Sequence, residues 1–311
     1  MRWLGRSVIE LLNRDALDRI CRVLHISEGE VRSIRPNPNA GMNNATYILQ
    51  TAAGEYLYRV PGEGTELFSC RAQECAAYRK LAGTGLTDEL VDFDPETGAK
   101  LSVYYPGSRT CDPTSATDRE AAMNLLRQFH NANVVLDGVD APYDRLLRYA
   151  RIAAGAGGSL AQSAAYRRVT RWLEAHEALF RCPADALCPV HADCLPGNLL
   201  FRADGAPILI DLEFASMGSP YGDLADFCHD ADFSQSQCRI LLQEYLCGDP
   251  DAENLRKLFS YCACVAAMWA AWADFKSCVE RENRDFFAAY RDRSVRYAQE
   301  AITWFASVEP L

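Results

Sequence analysis

The order of apolar and polar positions divides the chain in two. After residue 30 the pattern has a period of two. Val31–Arg35 is short and alternating, and Ala45–Thr51 and Glu55–Val60 are rich in Tyr, Ile, Leu and Val, with Ala52-Ala53-Gly54 between them. These stretches predict strands, the last two as a hairpin. Cys70, Glu74, Ala77, Tyr78 and Leu81 recur at helical spacing and predict a helix over residues 69–81. A second predicted hairpin pairs Leu90–Phe93 with Lys100–Tyr105 around the turn Asp94-Pro95-Glu96-Thr97-Gly98. Beyond Pro106-Gly107-Ser108 the period becomes helical, near 116–132, 143–155, 160–180, 234–247, 252–278 and 284–306. The expected fold class is α+β and bilobal. A β-rich N-terminal lobe covers 1–106, with a helical lead-in at 1–30, and a mostly helical C-terminal lobe covers 107–311.

Composition narrows the partners. A chain of 311 residues has room for two domains, and 49% hydrophobic with 24% charged residues excludes fibrous and wholly disordered classes. A net charge of −10 argues against a nucleic-acid partner, because phosphate backbones select basic surfaces. Thirteen cysteines are an odd number, with no C-x-x-C pair. They read as reduced, small buried residues in a cytoplasmic protein. The longest uncharged stretch near the C-terminus, Leu258–Ala273, falls short of the ~20 residues that span a bilayer, so no membrane insertion is expected.

The chemistry concentrates in His191-Ala192-Asp193-Cys194-Leu195-Pro196-Gly197-Asn198, followed by Ile208-Leu209-Ile210 and Asp211. Phosphoryl transfer needs a carboxylate to orient the attacking hydroxyl and take its proton, with oxygen ligands for Mg²⁺ beside it. Asp193 fits the first role, and Asn198 and Asp211 fit the second. From Ala203 to Cys238 there is no Lys or Arg but seven acidic residues. Of these, Asp211, Glu213 and Asp230 read as facing cations, whereas Asp204 and Asp232 read as a solvated face. In the N-terminal lobe, Asn37–Asn44 is a candidate phosphate-binding loop, although an ordinary hairpin loop explains it equally well. Arg59 and Glu74 suit the cation and helix carboxylate that position nucleotide phosphates; alone they would read as a surface ion pair. Trp269 and Trp272 share a helix face, and Tyr290 on the next helix is placed to approach them. A packing stripe is the competing reading, but an aromatic set beside acidic residues also suits a quaternary ammonium.

Together, Gly41–Tyr47, Arg71–Glu74, His191–Asn198, Ile210–Ala215 and Met268–Trp272 resemble the choline/ethanolamine kinase family of the aminoglycoside-phosphotransferase-like superfamily. The resemblance, closest to bacterial choline kinases, implies a protein-kinase-like fold with ATP as co-substrate, Mg²⁺ as cofactor and choline as acceptor. It implies Asp193 as catalytic base, Asn198 and Asp211 as metal ligands, and Asn43, Asn44, Arg59 and Glu74 at the nucleotide. It further implies Tyr104 and Tyr105 near the adenine, and Glu213, Asp230, Trp269, Trp272 and Tyr290 around the acceptor. Ethanolamine, another small alcohol or an aminoglycoside would be the alternative acceptor, and a non-catalytic binding module the alternative class. Asn43 stands where the superfamily more often has a hydroxyl residue, and Asp230 where it has a longer Glu.

Overall fold

The structure, a computed structural model, describes residues 12–38, 44–62 and 64–309. The chain separates into two compact units. One comprises residues 1–109 and 201–213, the other 110–200 and 214–311. Thus residues 201–213, expected within the second lobe, group with the first.

The N-terminal unit is built on five antiparallel strands: β1 (Val31–Pro36), β2 (Asn44–Thr51), β3 (Glu55–Pro61), β4 (Leu90–Phe93) and β5 (Lys100–Val103), in the order β1-β2-β3-β5-β4. The second hairpin's return strand ends at Val103, two residues short of expectation. Helix α1 (Arg14–Leu24) lays Leu17 and Ile20 against Ile34, Leu49, Tyr58 and Leu101, which buries one face of the sheet. Its N-cap Asn13 accepts the Ala16 N–H. Helix α2 (Arg71–Leu81) buries Tyr78, Leu81 and, unusually for a carboxylate, Glu74. Residues 201–213 join this unit through the Asp88 N–H donating to Leu209 O and the Leu209 N–H donating to Leu86 O.

Two-residue β6 (Arg109–Thr110) leads into the C-terminal unit, which is mainly helical: α3 (Ala116–His130), α4 (Pro142–Gly155), α5 (Ala164–Ala175), α6 (Pro220–Asp230), α7 (Gln235–Leu246), α8 (Ala252–Val279) and α9 (Arg284–Ser307). The single helix expected over 160–180 is broken into α5 between two short 3₁₀ turns. Four more short strands complete the chain: β7 (Cys188–Val190), β8 (Leu199–Phe201), β9 (Pro207–Leu209) and β10 (Ser216–Gly218). Of these, β7 and β10 pair antiparallel, with Val190 opposite Ser216. Helix α8 is the spine. It is long and apolar enough to cross a membrane by composition, yet its apolar stretch is wholly buried by α9, α4 and α6. A helix apolar all round is what a core position demands. The thirteen cysteines are all free thiols.

Candidate active site

The loop after β7 holds the central residues of the C-terminal unit. Asn198 donates from Nδ2 to the Asp193 carbonyl at 2.9 Å and to Asp193 Oδ2 at 3.0 Å. Pro196–Asn198 forms the 3₁₀ turn that makes this contact. The amide nitrogen is thereby committed to Asp193, which leaves Asn198 Oδ1 as the acceptor end of the side chain. Ala192, in the same loop, has φ +60°, a conformation costly for a residue with a Cβ. Its stabiliser is Asp223 on α6, which accepts the His191 N–H at 2.8 Å and the Ala192 N–H at 2.7 Å. His130 Nε2 donates to the same carboxylate at 2.9 Å, and His130 Nδ1 is bonded to the Tyr245 hydroxyl at 2.8 Å. Burial pushes the Asp223 carboxyl up, but the bonds from His130 and His191 outweigh it and hold it below its ordinary range. Arg145 clamps the loop from the other side, donating to Ala192 O at 2.7 Å and to Asp140 at 3.0 Å. The sequence alone did not reveal Asp223 or Arg145 as supports of this loop.

In the N-terminal unit Arg59 is central. It donates to Glu74 Oε2 at 2.7 Å and to Asp211 Oδ1 at 2.5 Å. Burial alone would push the guanidinium down, but Asp211 and Glu74 hold it above its ordinary value. Asp211 follows β9 with φ +64°, which Asp tolerates better than most residues. A second cation, Lys100, stands directly across from Arg59 in the β3–β5 register. It is 4% exposed and lies 2.5 Å from the Tyr78 hydroxyl, 3.7 Å from Asp88 and 4.0 Å from Glu74. Sequence reasoning overlooked it, because one Lys after a turn reads as surface. Glu213 joins this group. Burial, then the Asp211 carboxylate, push it up to about 8, with Arg59 opposing. Its charged neighbours are therefore those of the phosphate-side cluster. Asn44 and Thr46 stand on β2, with Thr46 opposite Arg59, and their buried Oδ1 and Oγ1 have no hydrogen-bond partner. The Thr46 hydroxyl, opposite a cation, can donate to the oxygen of a ligand such as a phosphate, whereas Asn44 Oδ1 can only accept. Asn43 lies outside the described residues. Tyr104 donates its N–H to Glu55 O, and the Tyr105 hydroxyl accepts the Glu89 N–H at 3.2 Å. Asn198 in the C-terminal unit and Asp211 in the N-terminal unit each carry oxygen donors of the hard kind that Mg²⁺ prefers.

The aromatic set assembles in the C-terminal unit. Trp269 and Trp272 meet edge to face with centroids 5.4 Å apart, and Trp272 and Tyr290 do so at 6.1 Å. Trp269 and Trp272 are 6% and 5% exposed, and Trp272 also meets Phe287, so the pair packs the core as well as forming an aromatic group. Trp269 is fixed by its indole N–H, which donates to Asp226 at 2.8 Å. Burial pushes Asp226 up to about 7. Asp230 is also pushed up by burial, against the pull of Arg293, whose guanidinium lies 4.8 Å from the Tyr290 ring centre.

Comparison with known proteins identifies the fold and the family. Protein LicA of Haemophilus influenzae is 22% identical over 253 residues, 76% of this chain and 71% of that protein. A choline/ethanolamine kinase family protein from Mesorhizobium loti superposes with a TM-score of 0.76 at 21% identity, covering 94% of this chain and 98% of that one. Choline kinase LicA from Streptococcus pneumoniae gives 0.74 at 25% identity, covering 97% and 100%. The fold is therefore the bilobal protein-kinase-like one. The sequence profile of the phosphotransferase enzyme family matches residues 34–258, well over half of the chain. This chain belongs to the phosphotransferase enzyme family, and it is a kinase-type enzyme.

Proposed function

We propose that the enzyme is a choline kinase that transfers the γ-phosphate of ATP to the choline hydroxyl, giving phosphocholine. The observation that carries the reading is the position of Tyr290. Burial pushes its hydroxyl up, the charge of Asp230 adds to the shift and Arg293 opposes it, with smaller additions from Asp193 and Asp226. One aromatic residue is thus in electrostatic reach of the base and of two further carboxylates, and it meets Trp272 ring to ring. A trimethylammonium group offers no N–H to donate. Aromatic faces hold it at ~0.5–2 kcal/mol each, and carboxylates add attraction at longer range. Asp230, Trp269, Trp272 and Tyr290 supply both. Glu213, expected at the acceptor by resemblance, is better read as part of the phosphate-side charge cluster.

In this reading Asp193 accepts the proton of the choline hydroxyl, its Oδ2 oriented by Asn198. Asp223 and Arg145 hold the backbone that carries it. Arg59, aimed by Glu74, binds phosphate oxygens, and Asn44 lies at the same nucleotide. Tyr104 and Tyr105 flank the adenine. Asn198 and Asp211 would hold Mg²⁺, which when bound neutralises charge developing on the phosphates.

The test is kcat/KM with MgATP for choline, ethanolamine, its methylated forms and an aminoglycoside. Choline should rank first, with the value rising as methyl groups are added. Preference for ethanolamine would make the carboxylates, not the rings, the recognising groups. Preference for the aminoglycoside would reject a small-alcohol acceptor altogether.

A further inference from the structure

Cys228 of α6, Cys238 of α7 and Cys262 of α8 are separated in sequence, yet their Sγ atoms lie within 4.8 Å of one another, all buried. The Tyr297 hydroxyl of α9 stands 3.4 Å from Cys238 Sγ, so four helices contribute to one spot. Each cysteine alone would pass as a small core residue. Cys264 shows what that looks like. It is on the same helix as Cys262 and just as buried, but it joins no such group among the described residues. None of these thiols takes part in the phosphoryl-transfer chemistry above.

We propose that Cys228, Cys238 and Cys262 form a binding site for a single thiophilic ion, and that trivalent arsenic suits it better than a divalent metal. Bonds of ~2.3 Å from a central ion place ligand sulfurs roughly 3.3–4.0 Å apart, so the triad closes with a contraction of about 1.5 Å at most. Charge decides between ions. All three cysteines are fully buried, at 0% exposure, and a net charge there is expensive. A dication held by three thiolates leaves one negative charge. Arsenous acid leaves none. Three S–As bonds form, three As–O bonds break, and each thiol proton departs with a hydroxide as water. Arsenic stays trivalent throughout, so no oxidant or reductant is needed. The hydroxyl of Tyr297 remains as a hydrogen-bond partner for Cys238 sulfur.

The experiment adds arsenite to the folded enzyme in a phosphine reductant and reads native mass spectra and the arsenic X-ray absorption fine structure. One arsenic per chain with three hydrogens lost, and three sulfur neighbours, is the expected result. Cys228→Ala, Cys238→Ala and Cys262→Ala should each weaken binding by more than the ~10–100-fold that loss of a mere supporting residue costs. Cys70→Ala and Cys247→Ala, at exposed thiols, should leave it unchanged. Absence of a one-to-one adduct, fewer than three sulfur neighbours, or full binding in Cys238→Ala would overturn the site. Should an alanine variant fail to fold, the wild-type absorption spectrum alone decides. Tighter binding of Zn²⁺ than of arsenite at these cysteines would overturn the choice of a trivalent ion.

Discussion

Asp193 and Asp223 are both buried carboxylates of the C-terminal unit, with different expected consequences when changed. Asp193→Asn keeps shape and the Asn198 contact but removes the proton acceptor. Turnover should fall at least ~10²-fold while nucleotide affinity, measured by calorimetry, is kept. Near-normal turnover would remove Asp193 from the mechanism. Asp223→Ala instead strands two backbone N–H groups and His130 in the core. Removing one partner of a buried ionic contact costs ~3–5 kcal/mol, so both the melting temperature and turnover should drop. An unchanged melting curve would show that the loop at Ala192 holds itself. Asp193 was legible in the sequence because its partners fall within one short motif. Asp223 was not, because its partners lie 32 and 93 residues away. Lys100 was hidden for a similar reason: its pairing with Arg59 exists only in the strand register.

Among the elements, α6 was missed by the sequence reading for a physical reason. Asp223, Asp226 and His229 recur every three positions but are buried with the apolar residues between them, so in the sequence they read as part of an acidic stretch and not as the solvent face of a helix. Helix α8 is far more apolar and 28 residues long, and length identified it. The two helices meet where Asp226 accepts the Trp269 N–H, and this contact has a pH signature. Burial raises Asp226 to about 7 in the fold, above the ~3.9 of an exposed Asp. Folding therefore takes up a proton, and stability falls as pH rises from ~4 to ~7. Asp226→Asn still accepts the indole N–H but cannot ionise. Its denaturant-unfolding free energy should lose that part of the slope, leaving the parts due to Asp140, Asp230 and Glu213, the last of which extends to about 8. Identical slopes in wild type and variant would refute a buried, raised Asp226. A second contact joins the loop after α4 to α8. Asp274 accepts the Leu160 N–H at 3.0 Å, and a Cβ on Gly158 would sit 2.2 Å from its Oδ2. Gly158→Ala should destabilise by ~1–3 kcal/mol, and Gly155→Ala, with open space at its Cβ, should cost little. Equal melting temperatures would show that Asp274 gives way.

For the whole molecule, the two-part plan was legible in the change from period two to helical period. The return of 201–213 into the first unit was not, since three-residue strands carry too little pattern. That return has a consequence for how the protein comes off the ribosome. Residues 1–109 lack the Leu209 backbone that pairs with Leu86 and Asp88, and they lack Asp211, which neutralises the buried Arg59. Until Asp211 has been made, residues 1–109 carry the buried Arg59 with only one of its two carboxylate partners, Glu74. A released fragment of 1–109 should show weak amide protection, and joining residues 201–213 to its end through a flexible linker should raise it. Full protection in the bare fragment would mean that the sheet closes unaided. Otherwise translation order and folding order diverge: the segment synthesised first waits for the one synthesised after β8, and a pause in that interval leaves the Leu86 carbonyl and the Asp88 N–H without their Leu209 partner and open to chaperones.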